Sequence, residues 1–203
     1  MNSTRRSDFK PTLALLLAAA MLWPAAAWAH VITGAAGGFL SGLTHPVSGL
    51  DHVVAMIAVG LWGAQLGRPA IWVLPVAFPL IMACGGMLGL MGIPLPGVEI
   101  GIALSAVVLG ALVLGQVRLP LAAAVVIVGC FAIFHGHAHG TELHAGANAM
   151  LYSLGFVIAT GLLHLVGIAI GVVERWEAGS RALRGTGALV MAAGVYFLWA
   201  ATA

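Results

Sequence analysis

Long apolar stretches separated by short polar breaks dominate this chain. After the N-terminal region, the breaks leave about six apolar segments, each near the twenty residues that an α-helix needs to cross a bilayer. The segments are Leu50–Leu66, Ala70–Met91, Val98–Val117, Leu119–Ala138, Ala147–Val172 and Ala182–Ala201. The glycine-rich stretch Val31–Thr44 is apolar but too short to span, and we expect a partial helix packed at the outer face. The pattern predicts an all-α, polytopic membrane protein.

Composition supports a membrane location. The chain is 62% hydrophobic and 7% charged, with a mean hydropathy of +1.09, which is far from the composition of a soluble domain. Twenty-eight glycines favour helices whose backbones approach closely. Cys84 and Cys130 lie inside apolar runs without paired-ligand spacing, so we expect buried packing residues, with a soft metal ligand as the alternative. The expected surroundings are lipid, and no nucleic-acid partner is expected.

Residues 1–29 have the features of a secretory signal peptide. A basic start precedes the apolar run Leu13–Trp23, and Ala27-Trp28-Ala29 forms a small-x-small ending. Cleavage after Ala29 would leave a single transmembrane domain, residues 30–203. His30 would then carry a free α-amine beside its imidazole, which together could chelate a metal. An uncleaved membrane anchor is the alternative.

The basic residues of the remaining chain fall in alternate loops. Arg68, Arg118 and a group in 175–184 follow the first, third and fifth segments. The positive-inside rule assigns these loops to the cytoplasm, so both ends of the mature chain should face the periplasm. No inverted internal repeat is evident, because such a repeat would place the two histidine clusters described next on opposite sides.

The first histidine cluster lies at the outer start of the first segment. Pro46 suits the first turn of a helix, and a helix continuing through Gly49 would place His45 and His52 on one face, with Asp51 beside them. Two imidazoles and a carboxylate suit a divalent transition metal. The alternative is structural, with His45 capping the helix and Asp51 interacting with its dipole.

The second cluster lies at the outer end of the fourth segment. His135, His139 and Glu142 are spaced i, i+4, i+7, so a continuous helix would place them on one face. We expect Gly136 and Gly140 to loosen or end that helix. A solvated histidine-rich loop without a single site is the competing interpretation.

Other polar residues extend these clusters. Glu99 opens the third segment on the same outer side and adds a carboxylate. His164 lies within the fifth segment, where it could be a second station for an ion or could bond a neighbouring helix. His137 and His144 would lie on a different face from the second cluster.

The two clusters occur within longer motifs that resemble the HupE/UreJ nickel and cobalt permease family over essentially the whole mature chain. The motifs are His45-Pro46-x-x-Gly49-x-Asp51-His52 and Phe134-His135-Gly136-x-Ala138-His139-Gly140-x-Glu142. The resemblance implies a multi-pass bacterial inner-membrane protein that imports nickel, sometimes cobalt, for hydrogenase or urease maturation. It implies a transporter, not an enzyme, with the metal as substrate and no prosthetic group. It carries the metal role onto His45, Asp51, His52, His135, His139 and Glu142.

Three other functions stay open at this level. The chain could be a metal-binding component of a multi-subunit transporter. It could be an intramembrane zinc hydrolase with Glu142 as general base, although it has no H-E-x-x-H motif, or a bis-histidine haem carrier. No G-x-x-x-x-G-K-[ST] motif occurs, so the chain itself should not hydrolyse ATP.

Overall fold

A computed structural model describes residues 35–143, 148–172 and 177–203, all within one compact unit, Val31–Ala203. The predicted signal peptide, residues 1–29, lies outside the described residues, as do His30 and His144.

Within the described ranges all regular secondary structure is helical, as predicted. Seven helices follow one another: α1 (Ala35–Ser48), α2 (Leu50–Leu66), α3 (Ala70–Leu90), α4 (Val98–Leu114), α5 (Leu121–Glu142), α6 (Ala149–Gly171) and α7 (Glu177–Thr202).

Among the described residues, the helices long and apolar enough to cross a membrane are α3, α5, α6 and α7, and a fifth span results if α1 and α2 count as one bent span. Helix α4 is apolar but has only 17 residues. The sequence predicted about six spans. The helices agree with a polytopic membrane protein, but four or five candidate spans do not confirm six. Several segment ends also differ from the helix bounds, and the largest differences are that α5 continues past Ala138 to Glu142 and that α7 begins at Glu177 rather than Ala182.

Helices α1 and α2 form a broken pair, bent by 82°. The prediction that Pro46 begins a helix that continues through Gly49 was wrong. Pro46 lies in the last turn of α1, and Gly49 has an extended backbone that separates the two helices. Proline lacks an N–H and weakens the helix there, while the Ser48 hydroxyl donates to the His45 carbonyl at 2.6 Å and satisfies part of the helix end.

Helix α2 occupies the centre of the bundle. It packs against α1, α3, α4, α6 and α7, and the run Ala55–Gly63 is buried without interruption. A helix that is apolar on all sides is expected to be buried on all sides. Near the start of α2, His52 is also buried, whereas Leu50 is exposed.

Glycines bring α3 and α5 into backbone contact. A Cβ on Gly136 would lie 1.9 Å from the Met82 carbonyl oxygen, and one on Gly140 would lie 2.2 Å from that of Gly86. The expectation that Gly136 and Gly140 loosen or end the helix was therefore wrong, because α5 continues to Glu142. Close packing against α3 compensates for the low helix propensity of glycine.

The two cysteines differ from their predicted burial. Cys84 on α3 and Cys130 on α5 are both exposed on the outside of the bundle. In a membrane protein the outer surface is as apolar as the core, so an apolar sequence context does not distinguish buried from lipid-facing positions.

The bundle has two chemically different ends. At one end, called the arginine end, the Trp62 indole donates to the Val117 carbonyl at 3.0 Å, and Arg184 Nε donates to the Leu114 carbonyl at 3.2 Å. The opposite end, called the histidine end, contains the break at Gly49, the start of α4 and the end of α5. The end of α4 thus lies at the arginine end, and its start lies at the histidine end.

Candidate metal centre

Four helix termini converge at the histidine end around a cavity of about 180 Å³. The contributors are the end of α1, the start of α2, the start of α4 and the last turns of α5. The lining residues are His45, Ser48, Gly49, Asp51, His52, Glu99, Ile102, Ala138, His139 and Glu142. Residues far apart in sequence are thus brought together in one place.

Glu142 links the two histidine clusters. Its Oε2 lies 3.0 Å from His45 Nε2 and 3.6 Å from His139 Nδ1. One donor atom from each of these three side chains lies within 4.8 Å of the other two. Two ligands on opposite sides of an ion with bonds of about 2.1 Å are about 4.2 Å apart, so the three groups need little movement to share one ion.

His52 extends this group toward the centre of the bundle. Its Nε2 lies 2.5 Å from His139 Nε2, within hydrogen-bonding distance. The Asp51 carboxylate accepts from the backbone N–H of His52 at 2.8 Å and lies 3.7 Å from its Nδ1. The continuous series of polar contacts is therefore His45, Glu142, His139, His52 and Asp51.

His135 lies directly behind His52. The ring centroids are 4.6 Å apart, and the His135 side chain is completely buried. Its Nδ1 donates to the Phe131 carbonyl at 2.9 Å, because a carbonyl can only accept. This bond fixes the tautomer and leaves Nε2 as a lone-pair donor with no hydrogen-bond partner.

Six of the predicted residues therefore meet at one place: His45, Asp51, His52, His135, His139 and Glu142. We call this group the histidine cluster. Neutral imidazoles and carboxylates suit nickel, cobalt, zinc and copper, so the donor set is compatible with all of these ions.

Other predicted residues lie at its margin or away from it. Glu99 lines the same cavity from the first turn of α4 and is exposed. His137 projects elsewhere, and its Nε2 donates to the Ile93 carbonyl at 2.8 Å. His164 lies deeper in the bundle, beyond Phe78, and does not reach the cavity.

Two aromatic residues of α6 that sequence reasoning missed form a wall of the cluster. The Phe156 ring lies 4.2 Å from that of His139, and the Tyr152 ring lies 5.9 Å from that of His45. They are four residues apart, so they share one face of the helix. Two aromatic residues four positions apart in an otherwise aliphatic segment were the sequence signal from which this wall could have been predicted.

The comparisons with known proteins agree with these motifs. The profile of the family described as HupE / UreJ protein matches residues 17–197. The chain belongs to the HupE/UreJ family. One relative is Protein HupE of Rhizobium leguminosarum bv. viciae, which is 47% identical over 180 residues, covering 89% of this chain and 94% of that protein. No solved structure matches the chain.

Proposed function

We propose that this HupE/UreJ protein is a permease that imports Ni²⁺, or Co²⁺, and that the histidine cluster captures the ion. The family is associated with nickel and cobalt transport. The observation that carries the proposal is the convergence of donor atoms from His45, His139 and Glu142 within 4.8 Å. Such a group at the edge of a membrane is costly to desolvate unless a cation or another partner compensates.

The driving force does not require nucleotide hydrolysis by this chain. A membrane potential, inside negative, favours inward movement of a dication by about 4.6 kcal/mol per 100 mV, twice the value for a single charge. Downhill flux or coupling to another gradient would add to this term.

We also propose a bacterial inner-membrane location with the histidine end facing the periplasm. The arginine end then faces the cytoplasm, in keeping with the positive-inside rule. A cleaved signal peptide, periplasmic termini and supply of metal to hydrogenase or urease maturation belong to the same proposal. Fusion of alkaline phosphatase after Ala203 tests the orientation, since the enzyme is active only in the periplasm.

Uptake of ⁶³Ni²⁺ into sealed proteoliposomes that contain only this protein tests transport. We expect uptake by the wild type and at least a tenfold loss in His52→Ala. His137→Gln is the matched control, because it alters a histidine of the same helix as His139, outside the cluster, and keeps a donor for the Ile93 carbonyl. It should transport at the wild-type rate.

The outcomes separate the rival functions. Metal binding without uptake would indicate a component of a multi-subunit transporter and would overturn the permease. Unchanged uptake in His52→Ala would overturn the histidine cluster as the capture site. Competition by Co²⁺ and Zn²⁺ in the same assay determines which ion is preferred.

A further inference from the structure

One face of α6 carries buried polar groups from the histidine cluster into the bundle. Tyr152, Phe156, Thr160 and His164 follow at intervals of four residues, so they form one stripe along the helix. Thr160 and His164 are completely buried. The Thr160 hydroxyl and both ring nitrogens of His164 have no hydrogen-bond partner of good geometry. Unsatisfied polar groups at such depth are costly and point to a function.

A backbone carbonyl from α3 faces the same position. The His164 ring lies beside the carbonyl of Pro75. In a regular helix this carbonyl would accept from residue 79, but that residue is Pro79, which has no N–H. An imidazole and an oxygen that lacks its helical donor therefore occur together in the interior of the bundle.

Phe78 separates this position from the histidine cluster. Its ring contacts that of His135 on one side and that of His164 on the other, with centroid distances of 5.5 Å in both cases. The Phe78 side chain is completely buried. A cation that moves from His135 to His164 must pass this ring or displace it.

We propose that His164, with the Thr160 hydroxyl and the Pro75 carbonyl, is a second station for the transported dication, and that Phe78 is the barrier between the two stations. This inference rests on the proposed transport function. A neutral imidazole and two oxygens bind more weakly than the histidine cluster, which suits a station that must release the ion onward.

A purely structural role for His164 makes different predictions. A histidine that only donates to the Pro75 carbonyl can be replaced by glutamine, which also donates, but poorly by cysteine, whose S–H is a weak donor. A histidine that ligates a metal shows the opposite order, because a thiolate is a strong ligand for these ions. His164→Gln and His164→Cys therefore separate the two roles.

The experiment compares Ni²⁺ uptake into proteoliposomes with Co²⁺ binding in detergent, for the wild type and both variants. We expect His164→Gln to keep the Co²⁺ affinity of the histidine cluster within twofold while uptake falls at least tenfold. His164→Cys should retain more uptake than His164→Gln. Equal uptake in His164→Gln and the wild type, the reverse order of the variants, or a parallel loss of Co²⁺ affinity would each overturn the second station.

Phe78→Leu tests the barrier separately, because leucine shortens the ring while keeping the position apolar. We expect uptake to increase severalfold with unchanged Co²⁺ affinity, and an unchanged rate would overturn the barrier. Failure of the proposed function looks different. In that case the wild type itself carries no nickel, whereas failure of this inference alone leaves wild-type uptake intact.

Discussion

Replacement of Gly136 by alanine tests whether the glycines of the second motif serve helix packing. The added Cβ would lie 1.9 Å from the Met82 carbonyl oxygen, and ordinary van der Waals contact begins at 3.4 Å. The separation must therefore rise by about 1.5 Å. Because the clashing atom belongs to the backbone of α3, no side-chain rotation can relieve the contact, and the helices must move apart.

The magnitude follows from two opposing terms. Overpacking in a well-packed core costs about 1–3 kcal/mol, and a rigid backbone contact lies at the upper limit of that range. Alanine regains about 1 kcal/mol of helix propensity relative to glycine. We therefore expect Gly136→Ala to lower the free energy of unfolding by about 2 kcal/mol.

Gly86→Ala is the matched control, because it lies on the same interface of α3 and α5. A Cβ there would have its nearest neighbour, the Gly136 carbonyl oxygen, at 3.5 Å, which is an ordinary contact. This variant should keep its stability or gain up to about 1 kcal/mol. Unfolding by titration with SDS, followed by circular dichroism, measures both variants.

The displacement should also reach the candidate metal centre, since His135 and His139 lie on either side of Gly136 on α5. We expect weaker Co²⁺ binding in Gly136→Ala and unchanged binding in Gly86→Ala. If Gly136→Ala is as stable as Gly86→Ala, the close approach of the two helices is wrong.

Two further predictions concern the candidate metal centre. Free Ni²⁺ at a hundredfold excess over its Kd should stabilise the wild type against thermal unfolding by about 2.7 kcal/mol. EDTA should reverse this effect, and His52→Ala should show no stabilisation. Glu142→Gln should weaken Ni²⁺ binding more than Glu99→Gln. The reason is that Glu142 contacts two histidines, whereas Glu99 acts across the cavity. Calorimetric titration measures the Ni²⁺ affinity of both variants.

The sequence was informative about which residues meet. Apolar segments near twenty residues and basic residues in alternate loops placed both clusters at the same end of the bundle, and they do meet there. The i, i+4, i+7 spacing correctly placed His135, His139 and Glu142 on one helix, and the structure brings all three into the histidine cluster. Both features can be read from the sequence. They depend on the local spacing of residues and on whether an odd or even number of membrane crossings separates the two clusters.

The break in the helix was not predictable by the same means. Pro46 is compatible with a first turn and with a weakened last turn, and Gly49 is tolerated inside a helix or at its cap. Whether the helix continues or breaks at Gly49 depends on how α1 and α2 pack against the rest of the bundle.

The role of Phe78 was not predictable either. In the sequence it resembles any other apolar residue of its segment, because its significance lies in the two histidines that it contacts from other helices.

The broken helix also shapes the electrostatics of the proposed capture site. Two helices, α1 and α5, end beside the cavity and direct the negative ends of their dipoles toward it. Two others, α2 and α4, begin there with positive ends that would repel a cation. Each of these carries a carboxylate in its first turn, Asp51 in α2 and Glu99 in α4. Carboxylates thus offset the unfavourable termini, while the C-terminal ends of α1 and α5 are directed toward the cavity. An unbroken helix through Gly49 could not provide this arrangement.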